Sequence, residues 1–183
     1  MSDGPSAEQV DLVAGRARAI RTRPAIVAID GRSGSGKTTF AAALAARLPD
    51  AGVVHLDHIY PGWDGLAATP ALLAAQVLAP LRRHEPAAFR QFDWEHDEFG
   101  PLVAVSPAAV VIVEGAGSSV GLARPYADLR VWLDADDATR KHRALARDGD
   151  AYRPHWQRWA LQEEQVFGAD RTREHADLIL RTQ

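Results

Sequence analysis

Apolar residues along this chain switch between two spacings, one helical and one extended, and the alternation outlines the elements. From Ala7 to Arg21, Val10, Val13, Ala14 and Ala17 recur at helical spacing and predict an amphipathic helix that Pro24 stops. Ile26-Val27-Ala28-Ile29 is a short β-branched run and predicts one buried strand. The Ala/Leu-rich stretch from Thr38 to Leu48 predicts a helix, and Val53–Leu56 a second strand ending at Asp57. Thr69 as N-cap and Pro70 in the first turn open a helix to about Arg83, striped by Leu72, Leu73, Gln76, Val77 and Leu81. Ala109–Val113, closed by Glu114, is the clearest buried strand. Asp128–Asp134 and Ala176–Leu180 predict two more. Helices are expected over Ala135–Asp148 and from Pro154 to about Phe167, separated by the breaker Asp148-Gly149-Asp150. Strands alternating with helices predict a three-layer α/β domain around a five-stranded parallel sheet. The segment Phe89–Phe99 has no clean period. It reads either as a surface hairpin with its aromatics tucked inward or as the wall of a substrate pocket.

Composition narrows the class without naming a chemistry. At 183 residues, 46% hydrophobic and 25% charged, the chain suits one globular domain with an ample core, here taken as 1–183. Residues 1–23 form a tail and helix ahead of the sheet. A formal charge of −3 gives no pull toward nucleic acid. With no cysteine, thiolate catalysis and thiolate metal sites are excluded. No apolar run approaches membrane-spanning length and the polar N-terminus is unlike a signal peptide, so the expectation is a cytoplasmic protein with no membrane partner. A homo-oligomer is left open.

The loop after the first strand changes the picture. Gly31-Arg32-Ser33-Gly34-Ser35-Gly36-Lys37-Thr38 fits G-x-x-x-x-G-K-[ST], between a strand and a helix as a phosphate-binding loop requires. Glycines allow a tight turn that aims backbone N–H groups at an anion, and the helix N-terminus adds donors and partial positive charge. Gly31, Ser33, Gly34, Ser35, Gly36, Lys37, Thr38 and Thr39 are therefore the candidate nucleotide contacts. Lys37 reaches the β- and γ-phosphates, and the Thr38 hydroxyl ligates Mg²⁺. Lys37 is one of only two lysines in an arginine-rich chain, which fits a need for that side chain. Glu114, ending a buried strand as a Walker-B acid does, is the second candidate metal ligand. Asp57 stands beyond the carboxyl end of a strand, where open α/β sheets bind ligands, and reads as a general base or as a turn-forming aspartate. Tyr60 and Trp63 either stack on a planar substrate or close the loop. Phe92, Trp94 and His96 are candidate acceptor contacts if the aromatic patch is a pocket wall. Arg140, Arg143 and Arg147 share one helix face, either a solvated basic face or a clamp on triphosphate oxygens, with Gly149 a candidate lid hinge.

Taken together, these segments resemble the uridine kinase branch of P-loop small-molecule kinases over nearly all of residues 24–181. The loop Gly31–Thr39 is close to that of the family, and Leu56-Asp57-His58-Ile59-Tyr60 is similar to its D-x-F-Y segment. Val111–Gly115 is similar to its I-x-E-G strand, Arg140–Asp148 to the arginine run entering the lid, and Ala176–Leu180 to its closing strand. Phe92-Asp93-Trp94-Glu95-His96 sits where the family has an aromatic nucleoside-contacting segment. The resemblance implies strand order 2-3-1-4-5 and a small helical lid at about residues 140–165. It also implies ATP and Mg²⁺ as cofactors, a small-molecule hydroxyl acceptor such as a nucleoside, and Asp57 as catalytic base with Lys37, Arg143 and Arg147 stabilising charge. A kinase for a sugar, vitamin or nucleotide is the nearest alternative. A regulatory NTPase switch and a non-catalytic nucleotide-binding module are the others; no N-K-x-D guanine-reading segment is present.

Overall fold

The computed structural model describes residues 5–182, apart from the side chains of residues 147, 148, 150 and 151. A first helix α1 (Ala7–Ala19) leads into β1 (Ala25–Asp30), whose six residues are all buried. Helix α2 (Lys37–Arg47) and strand β2 (Ala51–His55) follow. Strands β5 (Val110–Glu114), β6 (Leu129–Asp134) and β7 (Leu178–Arg181) complete a five-stranded sheet in the order β2-β5-β1-β6-β7. Every neighbour in it is parallel. Counting these five strands alone, the order is 2-3-1-4-5, as expected.

Alternation along the strands sorts the core into two faces. Val27, Ile29, Ile112, Val131 and Leu133 point to one side, where α1 and α2 cover them through Val13, Phe40 and Leu44. Ile26, Val111, Val113 and Trp132 point to the other, against Leu73, Val77 and Phe167. Trp132 meets Phe167 edge-to-face at 4.9 Å, so it is a core residue. A side chain such as Ile112, fully withdrawn from water, contributes about 1.5–3 kcal/mol.

The covering helix departs from the regular helix expected. It runs as α3 (Thr69–Leu73), a π-turn (Ala74–Leu78) and α4 (Ala79–Arg82). Pro80 has no N–H to give back and its ring crowds the preceding turn. The helix widens there, with the Ala79 N–H donating to the Ala74 carbonyl. Thr69 lies inside the first turn rather than at the N-cap, its hydroxyl donating to the Gly65 carbonyl at 2.8 Å.

Residues 88–104 form an antiparallel hairpin, β3 (Ala88–Asp93) and β4 (Glu98–Ala104), as a separate two-stranded sheet. Phe89 and Phe92 are tucked inward and buried. The last two helices are α5 (Asp137–Tyr152) and α6 (Trp156–Asp170). Asp136 caps α5 by accepting from the Thr139 N–H at 2.9 Å, and Gly149 interrupts it at φ 56°, ψ −133°. No helix among the described residues is long and apolar enough to cross a membrane.

Candidate active site

Parallel strands bring their carboxyl ends to one edge, and the candidate chemistry gathers there. Ile29 and His55 both stand opposite Glu114 in register, from the strands on either side of β5. The loop from Gly31 leaves that edge and enters α2 through Gly36, whose φ of 89° suits glycine. Lys37 folds back over the loop, its Nζ donating to the carbonyls of Gly31 (2.8 Å) and Arg32 (2.9 Å). Burial pushes its ammonium below the ordinary lysine value, against the pull of the Glu163, Glu114, Asp30 and Asp57 carboxylates.

The Thr38 hydroxyl donates to Glu114 Oε1 at 3.1 Å, and His55 Nδ1 lies 2.7 Å from the same oxygen. Burial alone would raise Glu114, but His55, the Lys37 charge and Thr38 together carry it below the usual carboxylate range. The Glu114 hydrogen bond in turn holds His55 above its ordinary value. Thr38 and Glu114 form a hard-oxygen pair beside a phosphate loop, a donor set that fits Mg²⁺, which commonly takes one or two protein oxygens and completes its shell with phosphates and water. Among the described residues no three His, Cys, Asp or Glu side chains converge on a point.

A cleft of about 930 Å³ opens over this edge. Of the residues expected from sequence, it brings together Ser33, Gly34, Gly36, Lys37, Thr38, Thr39, Asp57, Tyr60, Trp63, Trp94, Glu114 and Arg143. Asp57 lies in the 3-10 turn Leu56–His58, just past β2, which ends two residues earlier than expected. The Trp94 indole donates to the Asp57 carbonyl at 2.8 Å, leaning the hairpin on that turn. Trp63 packs parallel to His155 (4.3 Å) and Tyr152 (5.3 Å) and tilts against Trp94 (4.8 Å). Tyr60, buried, donates from its hydroxyl to the Ala116 carbonyl at 2.9 Å.

Five expected contacts lie elsewhere. Gly31 and Ser35 are buried within the loop and do not line the cleft. Phe92 is packed behind Trp94, edge-to-face at 5.3 Å, because strand alternation turns it inward. His96 is exposed at the hairpin turn, pairs with Asp93 at 2.9 Å and does not line the cleft. Arg140 is buried under the loop instead of facing phosphates: its guanidinium donates to the Ser33 carbonyl at 3.1 Å and to Asp137 at 2.5 Å. The side chain of Arg147 lies outside the described residues.

Other residues take places that the sequence did not suggest. Tyr152 and Trp159 complete the aromatic end of the cleft, with Tyr60 and Trp159 edge-to-face at 4.8 Å. Thr182 joins the donor end, its hydroxyl donating to the Ser35 carbonyl at 2.9 Å. Asp30, ending β1, accepts from the N–H groups of Gly31, Gly117 and Ser119 and from the Ser119 hydroxyl, all at 2.8–2.9 Å. Burial pushes Asp30 up while these four donors pull it back. An acid directly before the first loop glycine was the available signal.

Against known proteins, the chain is 31% identical over 142 residues to the uridine kinase of Latilactobacillus sakei subsp. sakei (strain 23K), covering 68% of this chain and 67% of that one. It is 30% identical over 150 residues to the uridine kinase of Leuconostoc citreum (strain KM20), covering 70% of each. Among solved structures, a possible uridine kinase from Bacillus stearothermophilus superposes with a TM-score of 0.70 at 21% identity, over 94% of this chain and 97% of that one. A structure named for a fructose transport system kinase, from Silicibacter sp. TM1040, gives 0.61 at 24%, over 97% and 100%. These structural likenesses show the α/β fold. No family model matches the chain.

Proposed function

The chain belongs to the uridine kinase family, and from that membership we propose that it transfers the γ-phosphoryl group of ATP to a hydroxyl of a small molecule, in first place a nucleoside. The observation that carries this reading is the shared cleft: a phosphate loop at one end, an aromatic chamber at the other, and Asp57 in its lining with both. The loop amides and α2 N-terminus hold the triphosphate. Lys37 leaves its carbonyl partners for the β- and γ-oxygens, and Arg143, 3.3 Å from the Thr182 hydroxyl at the cleft wall, adds charge from the lid.

Thr38 and Glu114 would hold Mg²⁺, which when bound supplies charge neutralisation across the β- and γ-phosphates. Asp57 takes the proton of the acceptor hydroxyl as its oxygen attacks the γ-phosphorus. The bond to the β–γ bridging oxygen breaks and ADP leaves with the electron pair. Trp63 and Trp94 stack against the acceptor body with Tyr60 backing them, while the end of α5 acts as the lid with Gly149 as its hinge and α6 as its base.

A panel of nucleosides, sugars, vitamins and nucleotides, followed by ADP release with Mg²⁺, tests the reading. A nucleoside is expected to be turned over, and Asp57→Asn to lose about 10²–10⁴-fold in kcat on it. Wild-type turnover by Asp57→Asn would remove the base from the mechanism. Nucleotide hydrolysis with no acceptor phosphorylated would instead favour a switch.

A further inference from the structure

One residue of the phosphate loop is held at three separate atoms by the lid helices. The Ser33 N–H donates to Glu163 Oε1 at 2.5 Å, from α6. Its carbonyl accepts from Arg140 of α5 at 3.1 Å, and its hydroxyl accepts from Tyr152, at the end of α5, at 2.9 Å. Glu163 is itself fully buried, and its Oε1 also accepts from the Trp159 indole at 3.1 Å. The Arg140 guanidinium stands 3.9 Å from its other oxygen. The adjoining Gly34 lies so close that an added Cβ would sit 2.0 Å from the Arg140 carbonyl oxygen. The loop's own turn bond, Ser35 N–H to the Arg32 carbonyl at 3.1 Å, is short-range by comparison.

A buried carboxylate is costly unless its oxygens are occupied, so its place against a loop amide calls for a reason. The same helix grips the acceptor side: Gln162 donates to the Trp63 carbonyl at 2.7 Å, and Arg158 pairs with Asp64. Successive turns of α6 thus hold the acceptor loop and the phosphate loop in one frame.

We propose that Glu163 is a positioning residue for phosphoryl transfer. It fixes the Ser33 amide so that the loop amides of the cleft-lining residues that follow, Gly34, Gly36 and Lys37, stand at the distance a nucleotide's phosphates require. Its effect on turnover rests on the kinase reading above; its effect on nucleotide binding does not. Its hold on the loop is one hydrogen bond to a backbone N–H, which a neutral oxygen at the same reach also accepts, whereas the charge it sets near Lys37 and Arg140 acts separately.

Two variants of the full chain separate these. Glu163→Asp keeps the charge but is one methylene short; Glu163→Gln keeps an oxygen at the right distance and loses the charge. The measurement is calorimetric titration with Mg²⁺ and the β,γ-imido analogue of ATP, alongside thermal melting. Glu163→Asp is expected to bind the analogue about tenfold or more weakly, and Glu163→Gln within about threefold of wild type. Tyr152→Phe, which releases the Ser33 hydroxyl, is expected to weaken binding about threefold and, as a second hold on the same loop residue, carries the test if Glu163→Asp does not fold. Binding by Glu163→Asp as tight as wild type overturns the proposal. So does the reverse order, with Gln the weaker, since charge would then be what matters. Lowered melting temperatures with unchanged analogue affinity reduce Glu163 to packing and also overturn it, as does unchanged binding by Tyr152→Phe in the fallback case. Absence of any phosphorylated acceptor would sink the kinase reading and leave these affinity ratios decisive for Glu163.

Discussion

Gly34→Ala probes the seam between the phosphate loop and α5. Gly34 holds φ at +78°, and its missing Cβ would lie 2.0 Å from the Arg140 carbonyl oxygen, 2.7 Å from the carbonyl carbon and 2.8 Å from the Cα. All three are backbone atoms of a helix, so no side-chain rotation relieves the overlap. Left-handed backbone costs a residue with a Cβ about 1–2 kcal/mol, and overpacking about 1–3 kcal/mol more. Parting the two segments also stretches the Glu163 and Arg140 bonds to Ser33, hydrogen bonds to charged groups worth about 1.5–3 kcal/mol each. These contributions share one displacement and do not simply add, so about 3 kcal/mol is a fair floor. For a chain of this size that lowers the melting midpoint by about 6–12 °C. Calorimetric melting, run beside analogue titration, is the assay. Where the loop yields instead of the helix, the loss moves from the midpoint to nucleotide affinity. A variant unchanged in both would refute the close approach. Gly168→Ala is the control: on α6, with nothing within 4 Å of its Cβ position, it is expected to gain up to about 1 kcal/mol.

Glu114→Gln should leave the fold intact and raise the Mg²⁺ concentration for half-maximal ADP release about tenfold or more; an unchanged Mg²⁺ titration takes Glu114 out of that role. His55 has its folded pKa above the ordinary 6.5, so the stability from its Glu114 bond is fully present below that value and lost as pH rises through the higher folded one. Denaturant melts between pH 6 and about pH 9 should show wild type losing stability over this window and His55→Ala losing less, whereas parallel profiles would contradict the pairing. Trp94→Ala removes a stacking face worth about 0.5–1.5 kcal/mol, raising the acceptor KM about 2–10-fold while leaving analogue affinity alone. Equal KM values would place the acceptor elsewhere.

The donor half was readable because its chemistry is local. Strand, loop and helix are contiguous from Ala25 to Arg47, and Glu114 announces itself by ending the most apolar strand. The acceptor half is assembled from the turn after β2, the hairpin, and the ends of α5 and α6, and composition cannot say which aromatic side chains converge. Phe92 and Trp94 look alike in sequence, yet strand pairing with Phe99 buries Phe92 while Trp94 reaches the cleft from the turn. Spacing correctly placed Arg140 and Arg143 on one helix face, but depth along that face decided their partners: Arg143 lines the cleft and Arg140 ends under the loop. Glu163 gave no local signal, since an acid inside a polar helix ordinarily faces solvent. The π-turn has no sequence signal of its own, because Pro80 sits where a helix can equally end.

The hairpin of residues 88–104 is joined to the body by few ties. Phe89 belongs to the core, the Arg90 N–H donates to Gln76 at 3.0 Å, and Trp94, alone of its described residues in lining the cleft, donates to the Asp57 carbonyl at 2.8 Å and packs on Trp63. Among the described residues, none of its hydrogen bonds touches the phosphate loop, Glu114 or α6. The hairpin is therefore a natural unit of exchange: a relative's hairpin, grafted between the helix ending at Arg82 and the strand beginning at Val110, can bring a different acceptor wall without disturbing the nucleotide end. Diversification of substrate range in such a scaffold has a ready place to happen, provided the replacement keeps a donor for the Asp57 carbonyl where Trp94 now supplies one.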